Sequence, residues 1–281
     1  MATSTTTIRP MTPADAEPAA AVVLAGGWGD RTLFFRFVTA AGACRPLVAE
    51  IDGEIVGTGV GTVNGPVGWV GTIFVAPDRR GHGLGLALTR TVVDVLEAAG
   101  CRTLVLVATE QGRPMYERLG FEVQTTYRTL EAPGLPDAGP PNGRIRPYRP
   151  DDLAAMADLD RAATGEDRRH LLEAFATEES ARTVARSDGA LGGFVVRAPW
   201  GGGATVAPDP DDAIAILDAR RRAAGPDGRV RAGVLAENED GYRRLTDLGW
   251  TDAWSAPRLV RGAPLAWDPS ALWGQFNHAL G

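Results

Sequence analysis

Arg79, Arg80, Gly81, His82, Gly83 and Gly85 lie between a strand-like run ending at Val75 and a helix-like run that continues from Leu86. Glycines at these positions let the backbone turn tightly, and the N–H groups that open the following helix carry partial positive charge. The chemistry of such a stretch is anion binding, and guanidinium forks at its rim point to a phosphate or pyrophosphate. Two phosphate loops are excluded. A P-loop ends in Gly-Lys-Ser/Thr, and the chain contains no lysine. A dinucleotide fingerprint needs a third glycine where Leu86 stands. What remains is Arg80-x-x-Gly83-x-Gly85, following Val75-Ala76-Pro77.

The elements around the loop can be read in order. Thr6 to Met11 predicts a strand. Thr12 as N-cap and Pro13 at the first helical position predict a helix to Leu24, ended by Gly26-Gly27. A second helix is expected over Thr32 to Ala41, with Leu33, Phe34, Phe37 and Val38 on one face. Pro46 to Ile51, Glu54 to Val63 and Val67 to Val75 read as strands joined by the hairpin signals Asp52-Gly53 and Asn64-Gly65. Leu88, Val92, Val95, Leu96 and Ala99 fall at helical spacing, with Gly100 as C-cap. A strand over Arg102 to Ala108, a short helix over Arg113 to Leu119 and a strand after Gly120-Phe121 complete the series.

The chain then starts again. Pro133 to Gly143 is too rich in proline and glycine for a helix or central strand and is expected to be a linker. Beyond it, Ile145-Arg146-Pro147 echoes Ile8-Arg9-Pro10, Val206-Ala207-Pro208 echoes Val75-Ala76-Pro77, and Leu248-Gly249-Trp250 echoes Leu119-Gly120-Phe121. Two divergent copies of one fold account for this order, over residues 1–132 and 144–281. The length of 281 residues suits two units of ordinary domain size.

Composition narrows the function classes. The net charge of −6 and the all-arginine basic set give no basic patch for nucleic acid, and no apolar run is long enough to cross a membrane. Cys44 and Cys101 form no CxxC and have no paired histidines, so neither a disulfide framework nor a metal site is expected, and a cytoplasmic setting fits.

The order of strand, two helices, three antiparallel strands, helix, strand, helix and strand, together with Arg80-x-x-Gly83-x-Gly85 and the run Met115-Tyr116-Glu117-Arg118-Leu119-Gly120-Phe121, resembles the Gcn5-related N-acetyltransferases, the GNAT family. The resemblance implies an α/β (α+β) protein of two tandem GNAT folds, each a mixed, mostly antiparallel sheet flanked by helices. Trp273-Gly274-Gln275-Phe276, Ala163-Thr164-Gly165-Glu166-Asp167-Arg168 and Ala108-Thr109-Glu110-Gln111-Gly112-Arg113 resemble the YitH-like tandem group of that family. Where that group leads one to expect an aspartate, this chain has Val107.

The resemblance also assigns roles. Acetyl-CoA is the expected acyl donor, held by Ile73, Phe74, Val75, Arg80, Gly81, His82, Gly83, Leu84, Gly85 and Thr109. Tyr116 is the expected acid toward the departing thiolate, a pairing that suits a phenol and a thiol of similar pKa. The acceptor is expected to be the primary amine of a small molecule, near Trp28, Asp30 and Glu110. No general base is evident, because Trp69 to Val75 contains no carboxylate. That gap, with Val107, keeps open a second reading as a non-catalytic acyl-CoA-binding regulatory module.

The copies differ at these positions. After Val206-Ala207-Pro208 come Asp209, Pro210, Asp211 and Asp212, which repel a pyrophosphate and suit instead the capped start of a helix over Asp211 to Ala224. Leu245 stands where Tyr116 does in the first copy. The second copy is therefore expected to lack a CoA site, and the protein to act as a monomer or homodimer without metal.

Overall fold

The structure, a computed structural model, describes residues 6–136 and 143–281; the middle of the expected linker, 137–142, lies outside the described residues. The first copy contains β1 (Thr6–Pro10), α1 (Ala16–Ala25), α2 (Thr32–Ala40), β2 (Cys44–Ile51), β3 (Glu54–Asn64), β4 (Val67–Val75), α3 (Leu84–Ala98), β5 (Thr103–Val107), α4 (Arg113–Glu117) and β6 (Glu122–Pro133). The second contains β7 (Ile145–Pro147), α5 (Leu153–Thr164), α6 (Arg169–Phe175), β8 (Ala181–Ala185), β9 (Leu191–Arg197), β10 (Gly203–Val206), α7 (Pro210–Ala224), β11 (Arg229–Leu235), α8 (Glu239–Asp247), β12 (Thr251–Gly262) and β13 (Leu272–Gly274).

The first hairpin forms as its signal predicts: Asp52 and Gly53 both take positive φ, 53° and 85°, as a type I′ turn requires. β3 places Gly57, Gly59 and Gly61 on one face at the strand period of two. A Cβ there would stand 3.0, 3.0 and 3.1 Å from Leu88, Val92 and Leu96 of α3. The glycine stripe thus lets the apolar face of α3 lie directly on the sheet. On the opposite face α1 and α2 share a core with Val48, Val60 and Phe74.

α2 turns otherwise than its periodicity suggested. Phe34, Phe35 and Val38 are buried and Leu33 is 52% exposed. Phe37 is drawn sideways to Phe175 and Trp200 of the second copy, ring centroids 4.7 and 5.5 Å away, so the helix buries two faces and Leu33 lies on neither.

Topology holds the larger departure. One sheet has eight strands in the order β1-β2-β3-β4-β5-β12-β6-β11, and the other has five, β13-β10-β9-β8-β7. One strand of each copy has crossed over: β12 pairs antiparallel with β5 of the first copy, and β6 pairs with β11 of the second. β6 and β12 also pair with each other, joining the copies through continuous backbone hydrogen bonds. The beginning of the expected linker takes part in this junction. Pro133 ends β6, and the N–H groups of Gly134 and Leu135 donate to the carbonyls of Gly228 and Arg221 at 2.8 and 2.9 Å.

A second difference lies inside each copy. β4 and β5 pair in parallel only over Val67–Trp69 with Thr103–Val105 and then diverge. The matching strands β10 and β11 do not pair; β13 lies against β10 instead.

Candidate functional site

The divergence of β4 from β5 starts where β4 itself is irregular. Thr72 has φ 50°, and the pairing with β3 slips between Thr58↔Phe74 and Val60↔Gly71, a bulge that bends the strand end away. Beyond it Ala76 N–H donates to Val56 O at 2.8 Å, toward β3. Strand alternation therefore turns the Val75 N–H and C=O to the open edge, where Arg80 Nε donates to that carbonyl at 3.0 Å.

The chain then makes a 3-10 turn over Pro77–Arg79, and Gly83 caps α3. Gly81 and Gly83 take φ 84° and 80°, which L side chains rarely adopt, and no heavy atom of the described residues lies within 4 Å of where a Cβ would stand on either. The open loop and the unpaired first N–H groups of α3 face the same space. Leu84 is buried beneath it and His82 is exposed. α4 closes the side of the cradle: Met115 Sδ lies 3.8 Å from the Cβ position of Gly85.

Tyr116 is half-buried on α4, edge-on to Phe121 with centroids 6.2 Å apart, and shares an apolar cluster with Ile73, Val75 and Ala76. Burial pushes its phenol up to about 12, so it holds its proton throughout the neutral range. Thr109 holds the start of α4, its Oγ1 accepting from Gly112 N at 3.1 Å.

On the other face Trp28, 41% exposed, stands edge-on to Phe74 at 5.3 Å, and the Arg80 guanidinium lies 5.8 Å from the same ring. Phe74 needs Gly26, where a Cβ would stand 2.2 Å from the ring. Trp28, Phe74 and Arg80 are thus brought together. Asp30 and Glu110 are not part of that group: Asp30 accepts from Thr32 N and Oγ1 at 2.8 and 2.7 Å, fixing the start of α2, and Glu110 is exposed. The two cysteines are buried, and burial raises both thiols, Cys44 to about 11.

The corresponding position of the second copy is filled. Asp209 caps α7, accepting from Asp211 N at 2.9 Å, as the carboxylates predicted. Asp212 is buried against Arg144 and Arg186. Trp273 of β13 is fully buried and donates Nε1–H to Ala207 O at 3.1 Å, and Leu245 is fully buried too.

Several residues outside the predicted set gather where the copies meet. Trp69 Nε1 and Asn64 Nδ2 donate to Glu166 at 2.9 and 2.7 Å. Arg168 pairs with Asp160, each 1% exposed. Arg258 is buried between Trp69 and Trp267, and His278 packs against Tyr127 and Trp254. The tryptophans of the second copy therefore divide: Trp250 and Trp273 are core, and Trp200, Trp254 and Trp267 serve the junction. Glu166 and Arg168 stand in a run the sequence already marks, but nothing in that run signals burial.

Comparison with known proteins agrees with the two-copy fold. Residues 19–121 match the acetyltransferase (GNAT) family, and residues 156–274 match an acetyltransferase (GNAT) domain. The chain is 25% identical over 218 residues to the uncharacterized N-acetyltransferase YitH of Bacillus subtilis (strain 168), covering 75% of this chain and 76% of that protein. Its fold is similar to that of a putative acetyltransferase from Pyrococcus horikoshii, with TM-score 0.83 and 21% identity over 98% of this chain and 96% of the other. A tandem GNAT protein from the clavulanic acid biosynthesis pathway is also similar in fold, with TM-score 0.61 and 15% identity over 92% and 99% of the two chains.

Proposed function

The chain belongs to the acetyltransferase (GNAT) family, and on that premise we propose that its first copy transfers an acetyl group from acetyl-CoA to the primary amine of a small molecule by direct attack. The second copy completes the acceptor side and holds no acetyl-CoA of its own. The observation that carries this reading is the contrast between two gaps: β4 and β5 diverge beside an open glycine loop, whereas the space beside β10 is occupied by β13.

The residues present fit the donor. Gly81, Gly83, Leu84 and Gly85 offer backbone N–H groups to a pyrophosphate, Arg80 and His82 stand at the rim, and the free edge of β4 at Ile73, Phe74 and Val75 suits an extended amide-bearing arm. Bound there, acetyl-CoA supplies an activated thioester carbonyl. The chain's own contribution is a proton. Tyr116 keeps a proton on Oη, available to a departing thiolate, with its ring held against Phe121 in the apolar cluster that also takes in Ile73 and Val75. Thr109 positions Tyr116 by fixing the start of α4.

The test is thiol release from acetyl-CoA against a panel of amines, with calorimetry of acetyl-CoA binding alongside. Turnover that collapses in Tyr116→Phe while binding persists supports transfer by the first copy. Binding without turnover on the whole panel favours the regulatory module, and binding that survives Arg80→Ala with Gly83→Ala places the donor elsewhere.

A further inference from the structure

Arg258 belongs to the second copy but stands in the first sheet. On exchanged β12 it lies directly across from Val107 of β5 and beside Thr125 of β6. Val107 is beyond the last β4–β5 pair, so Arg258 borders the point where those strands part. It shares the face of the sheet that carries Phe74, on the α1–α2 side and away from α3.

Its environment is unusual for a cation. Arg258 is 1% exposed, with its guanidinium carbon 4.4 Å from the ring centroid of Trp267 and 5.6 Å from that of Trp69. Among the described residues Nε and Nη1 have no hydrogen-bond partner. Glu166 and Glu237 lend it charge without a hydrogen bond: Glu166 accepts from Asn64 and Trp69, and Glu237 accepts from Thr125 Oγ1 at 2.5 Å. A buried guanidinium with unmet donors is destabilising, and an apolar side chain of similar length fills such a place at lower cost. Two indole rings fix the guanidinium while its N–H groups, directed in its own plane, match the oxygens of a carboxylate. A second guanidinium, half-buried Arg31 between α1 and α2, exerts its charge on His278 from the same face.

We propose that the acceptor amine also carries a carboxylate, as a free amino acid does, and that Arg258 receives it. This rests on the reading of the first copy as an acetyltransferase. It names the acceptor class as amino acids and sets it against simple amines and polyamines. It also gives the strand exchange a purpose, since the exchange is what delivers a residue of the second copy to the first copy's splay.

The test is calorimetry of the full chain with a panel of free amino acids and the amines their decarboxylation would leave, with and without acetyl-CoA. One or more amino acids are expected to bind at least about tenfold more tightly than their amines, a factor set by a single charge-assisted contact. Arg258→Met is expected to keep acetyl-CoA affinity and a melting temperature at or above that of the parent, and to weaken amino-acid binding about 100-fold. Should the methionine variant fail to fold, Arg258→Lys keeps the charge without the planar donors and is expected to lose about tenfold. No binding by any amino acid, equal binding of acids and amines, or unimpaired binding in the variants overturns the proposal. Failure of the acetyltransferase reading shows separately, as absent turnover of acetyl-CoA in the parent whether or not acetyl-CoA binds, because amino-acid binding is also read without it.

Discussion

The two copies reach the same point in their folds, Val75-Ala76-Pro77 and Val206-Ala207-Pro208, and then part. In the first, two glycines at positive φ turn the chain into α3 with open space before its N-terminus. In the second, Asp209 spends the same helix start on its own carboxylate, and Trp273 takes the Ala207 carbonyl. One fold therefore gives either a ligand cradle or a sealed structural helix, and the choice rests on a few side chains at one loop and one strand edge.

The largest effect should separate the copies by chemistry. Tyr116→Phe removes the only proposed acid and should lower kcat by about 10²- to 10⁴-fold, with acetyl-CoA affinity unchanged by calorimetry. Leu245→Tyr should restore nothing to that variant, because the second copy has no open splay for a phenol to serve. A Leu245→Tyr gain would break the comparison. A pH–rate profile sharpens it: with the phenol held near 12 by burial, activity should not fall between about pH 9 and 11, where an exposed tyrosine would lose its proton.

A smaller, opposite pair of effects is expected at the two helix starts. Gly83→Ala forces an L side chain into a left-handed conformation costing roughly 1–2 kcal/mol, and should weaken acetyl-CoA binding about tenfold with the loop displaced. Asp209→Ala should leave that binding alone and lower stability by about 1 kcal/mol in a denaturant titration, the usual worth of a helix cap. If both substitutions altered acetyl-CoA binding, the second copy would be no bystander.

The loop, the duplication and the capped acidic helix were legible because each depends on local chemistry: glycine's φ range, a repeated order of short runs, a carboxylate at a helix start. The strand exchange was not. β6 and β12 each continue to the last residues that can pair, and their patterning is equally compatible with a partner from either copy, since the copies descend from one fold. The junction was illegible for the same reason. Arg258 looks like an ordinary surface residue until the exchange buries it, His278 is half-buried only through its packing on Tyr127 and Trp254, and sequence does not reveal that Thr32 hydrogen-bonds Asp30.

The smallest effect at neutral pH concerns the segment that closes the junction. His278 packs between Tyr127 and Trp254, its Nδ1 unpartnered among the described residues, and its backbone carbonyl lies 2.6 Å from where a Cβ on Gly71 would stand. Burial, aided by the charge of Arg31, lowers the imidazole to about 4. The folded pKa is thus below the unfolded value near 6.5, so the unfolded chain binds the extra proton first. The contribution is complete above about pH 6.5, shrinks as pH falls, and levels off below about 4 with a total loss of up to about 3 kcal/mol. Denaturant titrations at pH 7.5 and 5 should show His278→Leu losing less stability than the parent over that interval, by about 1–2 kcal/mol. Equal losses in the two proteins would mean that the imidazole charges without cost, and that the junction is more open to water than its packing indicates.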